Sequence, residues 1–156
     1  MKKIVTLLIV ISVVMACGTS KTVRESKRVI KGEWTLSSVT YNQAGTYAVT
    51  LLNDATKECF EGSYWRFIPN NNSGVYTISK TGCAEGDRHF IFTIDEVDAV
   101  SGYYDFLLKP TDAKGRSETN AGYRMQLTNL SETMMTWQQT LTVEGRPFVI
   151  TMNFIK

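Results

Sequence analysis

The sequence predicts an all-β fold: an eight-stranded antiparallel up-and-down β-barrel carrying one short helix. Three observations lead there. Over residues 122–156 apolar and polar side chains alternate in three consecutive segments: Tyr123, Met125 and Leu127; then Met135, Trp137 and Leu141; then Phe148, Ile150, Met152 and Phe154. Period-2 alternation marks strands with one buried and one wet face. The links between these segments, such as Glu144-Gly145, are a few residues long, which permits antiparallel hairpins and excludes parallel crossovers of a dozen residues or more. Upstream, five further alternating segments are separated by compact turn signals.

The N-terminal elements concern location. Lys2-Lys3 precede an apolar run over 4–14, interrupted only by Thr6 and Ser12. The run is too short to cross about 30 Å of hydrocarbon, so residues 1–16 read as a signal peptide. Val14-Met15-Ala16-Cys17-Gly18 resembles the bacterial lipobox, which implies cleavage before Cys17 and its lipidation; the plainer reading is a secretory signal that ends at a cysteine by chance. Several acyl chains on one residue anchor a protein firmly, where a single chain binds only marginally. Residues 17–31 then form the lipidated cysteine and a charged tether with one helical turn at its end. By analogy with other bacterial lipoproteins, Gly18 rather than aspartate after the cysteine favours the outer membrane. The absence of an acidic run in the tether favours its periplasmic face.

Removal of residues 1–16 leaves 140 of 156 residues, and the 17 basic side chains lose Lys2 and Lys3 to stand at 15 against 15 acidic ones. The length suits one domain with a real core, over 32–156. A neutral secreted domain gives no electrostatic argument for nucleic acid as a partner. Apart from Cys17 the chain holds Cys59 and Cys83. In an oxidising compartment that pair is most simply a disulfide, contributing roughly 3 kcal/mol in the chain-entropy model. Free thiols or a metal pair are the alternatives, and the clustered ligands a metal needs are missing.

Within the domain, the first strand runs from Trp34 to Tyr41, and 42–48 is a loop. Asn53-Asp54 is a plausible N-cap for a short helix over 55–60. Residues 63–68 form a strand bearing Trp65 and Phe67, 69–74 a dense turn, and 75–79 a strand bearing Tyr76 and Ile78. A loop containing Cys83 leads to an apolar strand over 89–95, a turn at 97–102 and a fifth strand over 103–109. The polar loop 110–121 precedes the final meander. Closure of eight strands removes exposed edges and leaves an interior either filled by side chains or wide enough for one small ligand.

Gly32-Glu33-Trp34, opening the first strand, matches the Gly-x-Trp signature of the lipocalins. The whole mature chain resembles the lipocalin-like lipoproteins of Bacteroidetes-type bacteria in its order of lipobox, tether, Gly-x-Trp, a cysteine in a short helix and a meander. The resemblance implies a barrel with a cup for a small, mostly apolar molecule. Two family features are missing: a Thr-Asp-Tyr motif at a later loop, and an arginine on the last strand to cap Trp34, since Arg146 sits in a turn.

By alternation the inward set includes Trp65, Phe67, Tyr76, Ile78, Phe92, Phe106, Met125, Leu127, Trp137, Met152 and Phe154. The candidate cavity lining is Trp65, Phe67, Tyr76, Phe92, Phe106, Met125, Trp137 and Met152: rings give area and methionine adapts its shape. The same residues equally suit a filled core. Arg66 and Arg124 are candidates to meet a ligand carboxylate at a barrel end, against the simpler role of solvated outer-face charges. No Gly-x-Ser-x-Gly elbow or triad accompanies the single histidine, His89, which reads as a polar strand-end residue. Asp95-Glu96-Val97-Asp98 lacks a dedicated calcium-loop pattern, and no metal-spaced or phosphate-cradling motif occurs. The expectation is a non-enzymatic, membrane-anchored protein without cofactor that binds a small apolar ligand. The alternative is an envelope structural or interaction protein, or an inhibitor, with a filled barrel and an apolar patch around Tyr103, Tyr104 and the 110–121 loop.

Overall fold

The structure, a computed structural model, describes residues 21–97 and 102–156. Cys17 and the leader lie outside the described residues.

Helix α1 (Lys21–Ile30) is followed by β1 (Gly32–Tyr41), the two-residue strands β2 (Thr50–Leu51) and β3 (Ala55–Thr56), and the short helix α2 (Lys57–Phe60). Strands β4 (Tyr64–Ile68), β5 (Ser73–Ile78), β6 (Gly86–Val97), β7 (Tyr104–Thr111), β8 (Tyr123–Leu130), β9 (Met134–Val143) and β10 (Arg146–Ile155) complete the order. The barrel is closed in the order β1-β10-β9-β8-β7-β6-β5-β4, every neighbour antiparallel. The eight-stranded up-and-down barrel is thus the observed fold. β6 begins at Gly86, earlier than the alternation suggested, and His89 lies inside that strand, opposite Val75 and Thr111.

The strand directions define two ends. The turns after β4 and β8, the start of β1 and the ends of β6 and β10 share one end; the loops after β5, β7 and β9 share the other, called here the mouth.

The first end is plugged. Where the sequence suggested a tether with one helical turn, the chain forms the ten-residue α1, docked on β6, β8 and the turn after β4. Its inner stripe is Val23, Ser26 and Ile30, at the i, i+3, i+7 spacing of one helix face. Ser26 hides the pattern from a hydropathy reading, yet its hydroxyl donates to the Thr22 carbonyl at 3.0 Å and so is buried without an unmet polar group. Lys27 Nζ donates to Asn72 Oδ1 at 2.7 Å. Trp34 is buried beneath the helix and its indole N–H donates to the Ile30 carbonyl at 2.8 Å. The terminal Lys156 lies with its ammonium 4.8 Å from the Trp34 ring and donates to the Val29 carbonyl at 3.1 Å. The cation absent from the last strand as an arginine is therefore supplied as a lysine one residue beyond it.

Candidate functional site at the barrel mouth

Residues 42–63 cross the mouth between β1 and β4 as a lid. One arm is pinned at Asn42, whose backbone N–H donates to the Val149 carbonyl at 3.1 Å and whose Oδ1 accepts from the Val149 N–H at 2.8 Å. The other arm is pinned by the Cys59–Cys83 disulfide, with Cα atoms 5.7 Å apart, joining α2 to the loop after β5. Lys80 Nζ adds a bond to the Glu58 carbonyl at 2.7 Å. The expected disulfide is thus present, and its role is to hold down the returning arm of the lid. That arm also closes the seam along β1: Glu61 Oε1 accepts from the Val39 N–H at 2.9 Å, and Leu36 N–H donates to the Ser63 carbonyl at 3.0 Å.

Asn53 and Asp54 do not cap a helix. Asp54 N–H donates to the Leu51 carbonyl at 2.9 Å, closing a tight turn between β2 and β3, while Thr56 precedes α2 without a side-chain cap. Leu52 and Asn53 both take positive φ, 51° and 52°. Asparagine tolerates this region, whereas leucine there costs about 1 kcal/mol. The turn drives Leu51 and Leu52 into the core and aims the Asp54 carboxylate at the barrel wall.

That carboxylate meets two donors. Tyr76 Oη and Arg88 Nε each donate to Asp54 Oδ2 at 2.9 Å. Arg88 lies on the inward side of β6, in the same alternation as Phe90, Phe92 and Ile94. Its two terminal nitrogens donate to the carbonyls of Gly86 and Ala84, which fixes the guanidinium independently of the lid. Burial, and then the Asp54 charge, hold the Tyr76 phenol well above its ordinary range. Across the mouth the lining is apolar. Tyr47 and Val49 of the lid overhang Leu141, Val143 and Phe148, leaving a pocket of about 210 Å³. Leu141 and Val143 continue the inward alternation of β9 but are 39% and 47% exposed, forming an apolar rim.

Below the mouth the eight lining candidates come together as one buried cluster: Trp65, Phe67, Tyr76, Phe92, Phe106, Met125, Trp137 and Met152. Backbone register sets Leu127, Trp137, Met152 and Val39 in one row across four strands. The rings pack closely, with centroids 4.4 Å apart for Trp65–Tyr76, 4.5 Å for Phe106–Trp137 and 5.4 Å for Trp65–Trp137. The interior is therefore a covered, ring-filled chamber rather than an open cup. Trp137 Nε1, fully buried among these rings, has no hydrogen-bond acceptor among the described residues.

Both arginine candidates take the simpler of their two roles, as solvated charges on the outer face. Arg66 faces outward opposite Glu33, and Arg124 is ion-paired with Asp105 on the outer wall. Arg88 points inward at the mouth, which alternation with Phe90 and Phe92 could have revealed. The apolar patch suggested around Tyr103, Tyr104 and 110–121 is also divided, because β7 runs between the two ends it would join; Tyr104 packs on the core. Of the acidic run, Asp95 is exposed, and the side chains of Glu96 and Asp98 lie outside the described residues.

The chain is thus a closed eight-stranded antiparallel barrel, plugged at one end by a helix over a capped tryptophan and covered at the other by a lid. Residues 30–137 match the lipocalin-like domain family, and the chain belongs to it. No curated protein matches the chain. Among solved structures, a lipocalin-like protein from Bacteroides uniformis is similar with a TM-score of 0.51 at 10% identity, over 82% of this chain and 98% of that one. Bovine odorant-binding protein in complex with a selenium-containing odorant aligns with a TM-score of 0.46 at 12% identity, over 83% of this chain and 71% of that one. The odorant-binding protein from bovine nasal mucosa aligns with a TM-score of 0.45 at 12% identity, over 90% and 76%.

Proposed function

We propose that this protein is a non-enzymatic binding module that takes a small, mostly apolar molecule into the barrel through the mouth. The observation that carries the reading is the Trp137 indole N–H. A buried donor without an acceptor costs about 1–3 kcal/mol, and natural interiors rarely keep one without a use. A guest with one acceptor and an apolar body would satisfy the donor and suit the surrounding rings and methionines. Family membership and the apolar rim at Leu141 and Val143 support the same reading. Entry requires the lid to lift and Leu51 and Leu52 to leave the chamber. Anchoring through Cys17 in the cell envelope, on the periplasmic side of the outer membrane, belongs to this proposal and rests on the lipobox resemblance alone.

Native mass spectrometry of the protein purified from its envelope, followed by organic extraction, tests it. A stoichiometric apolar passenger is expected, and Trp137→Phe, which keeps a ring and removes the donor, should carry several-fold less. Protein that arrives empty and takes up no hydrophobic dye overturns the reading. The tight ring packing favours the second reading, a filled barrel that meets a protein partner. In that case the outer row Tyr64, Thr35, Ile155 and Met134, aligned across four strands, is the exposed apolar face to examine.

A further inference from the structure

We infer that Arg88 and Tyr76 form a seat for the carboxylate of an aliphatic acid, and that Asp54 of the lid occupies this seat while the mouth is closed. The inference rests on the binding reading above and narrows its ligand to a chemical class.

The seat is built without the lid. Arg88 is held by the Gly86 and Ala84 carbonyls, both from its own strand and the preceding loop. Tyr76 is fixed from the barrel side by stacking on Trp65 at 4.4 Å and by Phe90 of β6 at 6.3 Å. The lid contributes the acceptor, and its stapled arm adds Phe60 beside the Tyr76 ring at 5.4 Å. If it lifts, Nε of a permanent cation and a phenol O–H lose the single carboxylate oxygen that both bind, beside an apolar chamber. Two convergent donors, one charged, at the edge of an apolar, ring-filled interior recognise a carboxylate at the end of an apolar body.

The lid's own tip states the chemistry of its replacement. Leu51, Leu52 and Asp54 set two buried aliphatic side chains next to a carboxylate, the parts of an aliphatic acid. Exchange of Asp54 for a ligand carboxylate leaves the charge at the seat unchanged, so no new charge is buried. The lid is also divided to allow it. The arm beyond Thr56 is fixed by the disulfide, whereas the turn bearing Asp54 lies between that staple and the Asn42–Val149 pins. The left-handed backbone of Leu52 is strained in the closed position, a cost that opening would relieve.

Calorimetric titration of the protein with dodecanoic acid and with its methyl ester decides the matter. In wild type the acid is expected to bind about tenfold or more tightly than the ester, the worth of hydrogen bonds to a charged group. Asp54→Asn vacates the seat's anionic occupant and should raise the acid-to-ester ratio further. Arg88→Gln should bring the ratio near one while ester binding persists. Tyr76→Phe, which keeps the ring, should lower it several-fold, and it carries the test if Arg88→Gln does not fold. Equal binding of acid and ester, or a ratio that survives both seat variants, overturns the seat and leaves the container standing. Binding of neither compound by any variant overturns the container and the seat with it.

Discussion

Gly74 sits where the interior has no room for a side chain. It pairs with Phe67 on one side and Phe90 on the other, and a Cβ at this position would overlap the Phe90 ring and come within 2.7 Å of the Arg66 carbonyl oxygen. Gly74→Ala should therefore destabilise by about 1–3 kcal/mol, the usual cost of overpacking. On a Phe90→Leu background, where the ring is gone, the same change should cost clearly less. Additive losses in denaturant melts would mean that the Arg66 backbone is the obstacle instead. Tyr76 provides the pH-dependent counterpart. Its folded pKa is raised above the ordinary 10.0 by burial and by Asp54. The folded state then holds the proton more tightly than the unfolded chain, so the contribution is complete below pH about 10 and is lost as pH rises above it. Stability measured across that alkaline range should fall, and Tyr76→Phe should flatten the fall. An unchanged slope would assign it to the other tyrosines.

At the scale of elements, the disulfide acts on the lid. Replacing Cys59 and Cys83 with serine should lower unfolding stability by about 3 kcal/mol and speed proteolytic cleavage within residues 42–63. Cleavage as slow as in wild type would show that the Lys80 and Glu61 bonds suffice to hold the arm. Strands were legible in the sequence because each has one face on the core, and alternation records that fact directly. The inward candidates were legible for the same reason. Helix α1 was not, since its buried stripe contains a serine and only two apolar side chains in a basic decapeptide. The Asp54 turn was misread because Asn-Asp suits both a helix cap and a tight turn, and the choice depends on Leu51 and Leu52 reaching the core. Arg88 was passed over in favour of Arg66 and Arg124, although only Arg88 shares the parity of the buried phenylalanines. The capping role of Lys156 was hidden because the sequence does not say that the chain's end returns to Trp34.

For the molecule as a whole, the two ends have opposite characters. One is sealed by α1, Trp34 and Lys156, with no polar group of the indole left unmet. The other is closed by a segment whose contacts divide into a covalent staple and a polar latch, so any opening is confined to it. The barrel wall between them is a closed hydrogen-bonded ring of strands. The ring-filled interior has an optical consequence. Trp65 and Trp137 are held edge to face with centroids 5.4 Å apart, while Phe106 and Phe154 flank Trp137 at 4.5 Å and 4.6 Å. Indole transitions at such separations, fixed in a chiral frame, couple to one another and give intense near-ultraviolet circular dichroism. A guest of the proposed kind, if it reached Trp137, would part these two chromophores. Under the proposed binding function, a change in that signal would report occupancy without any added label.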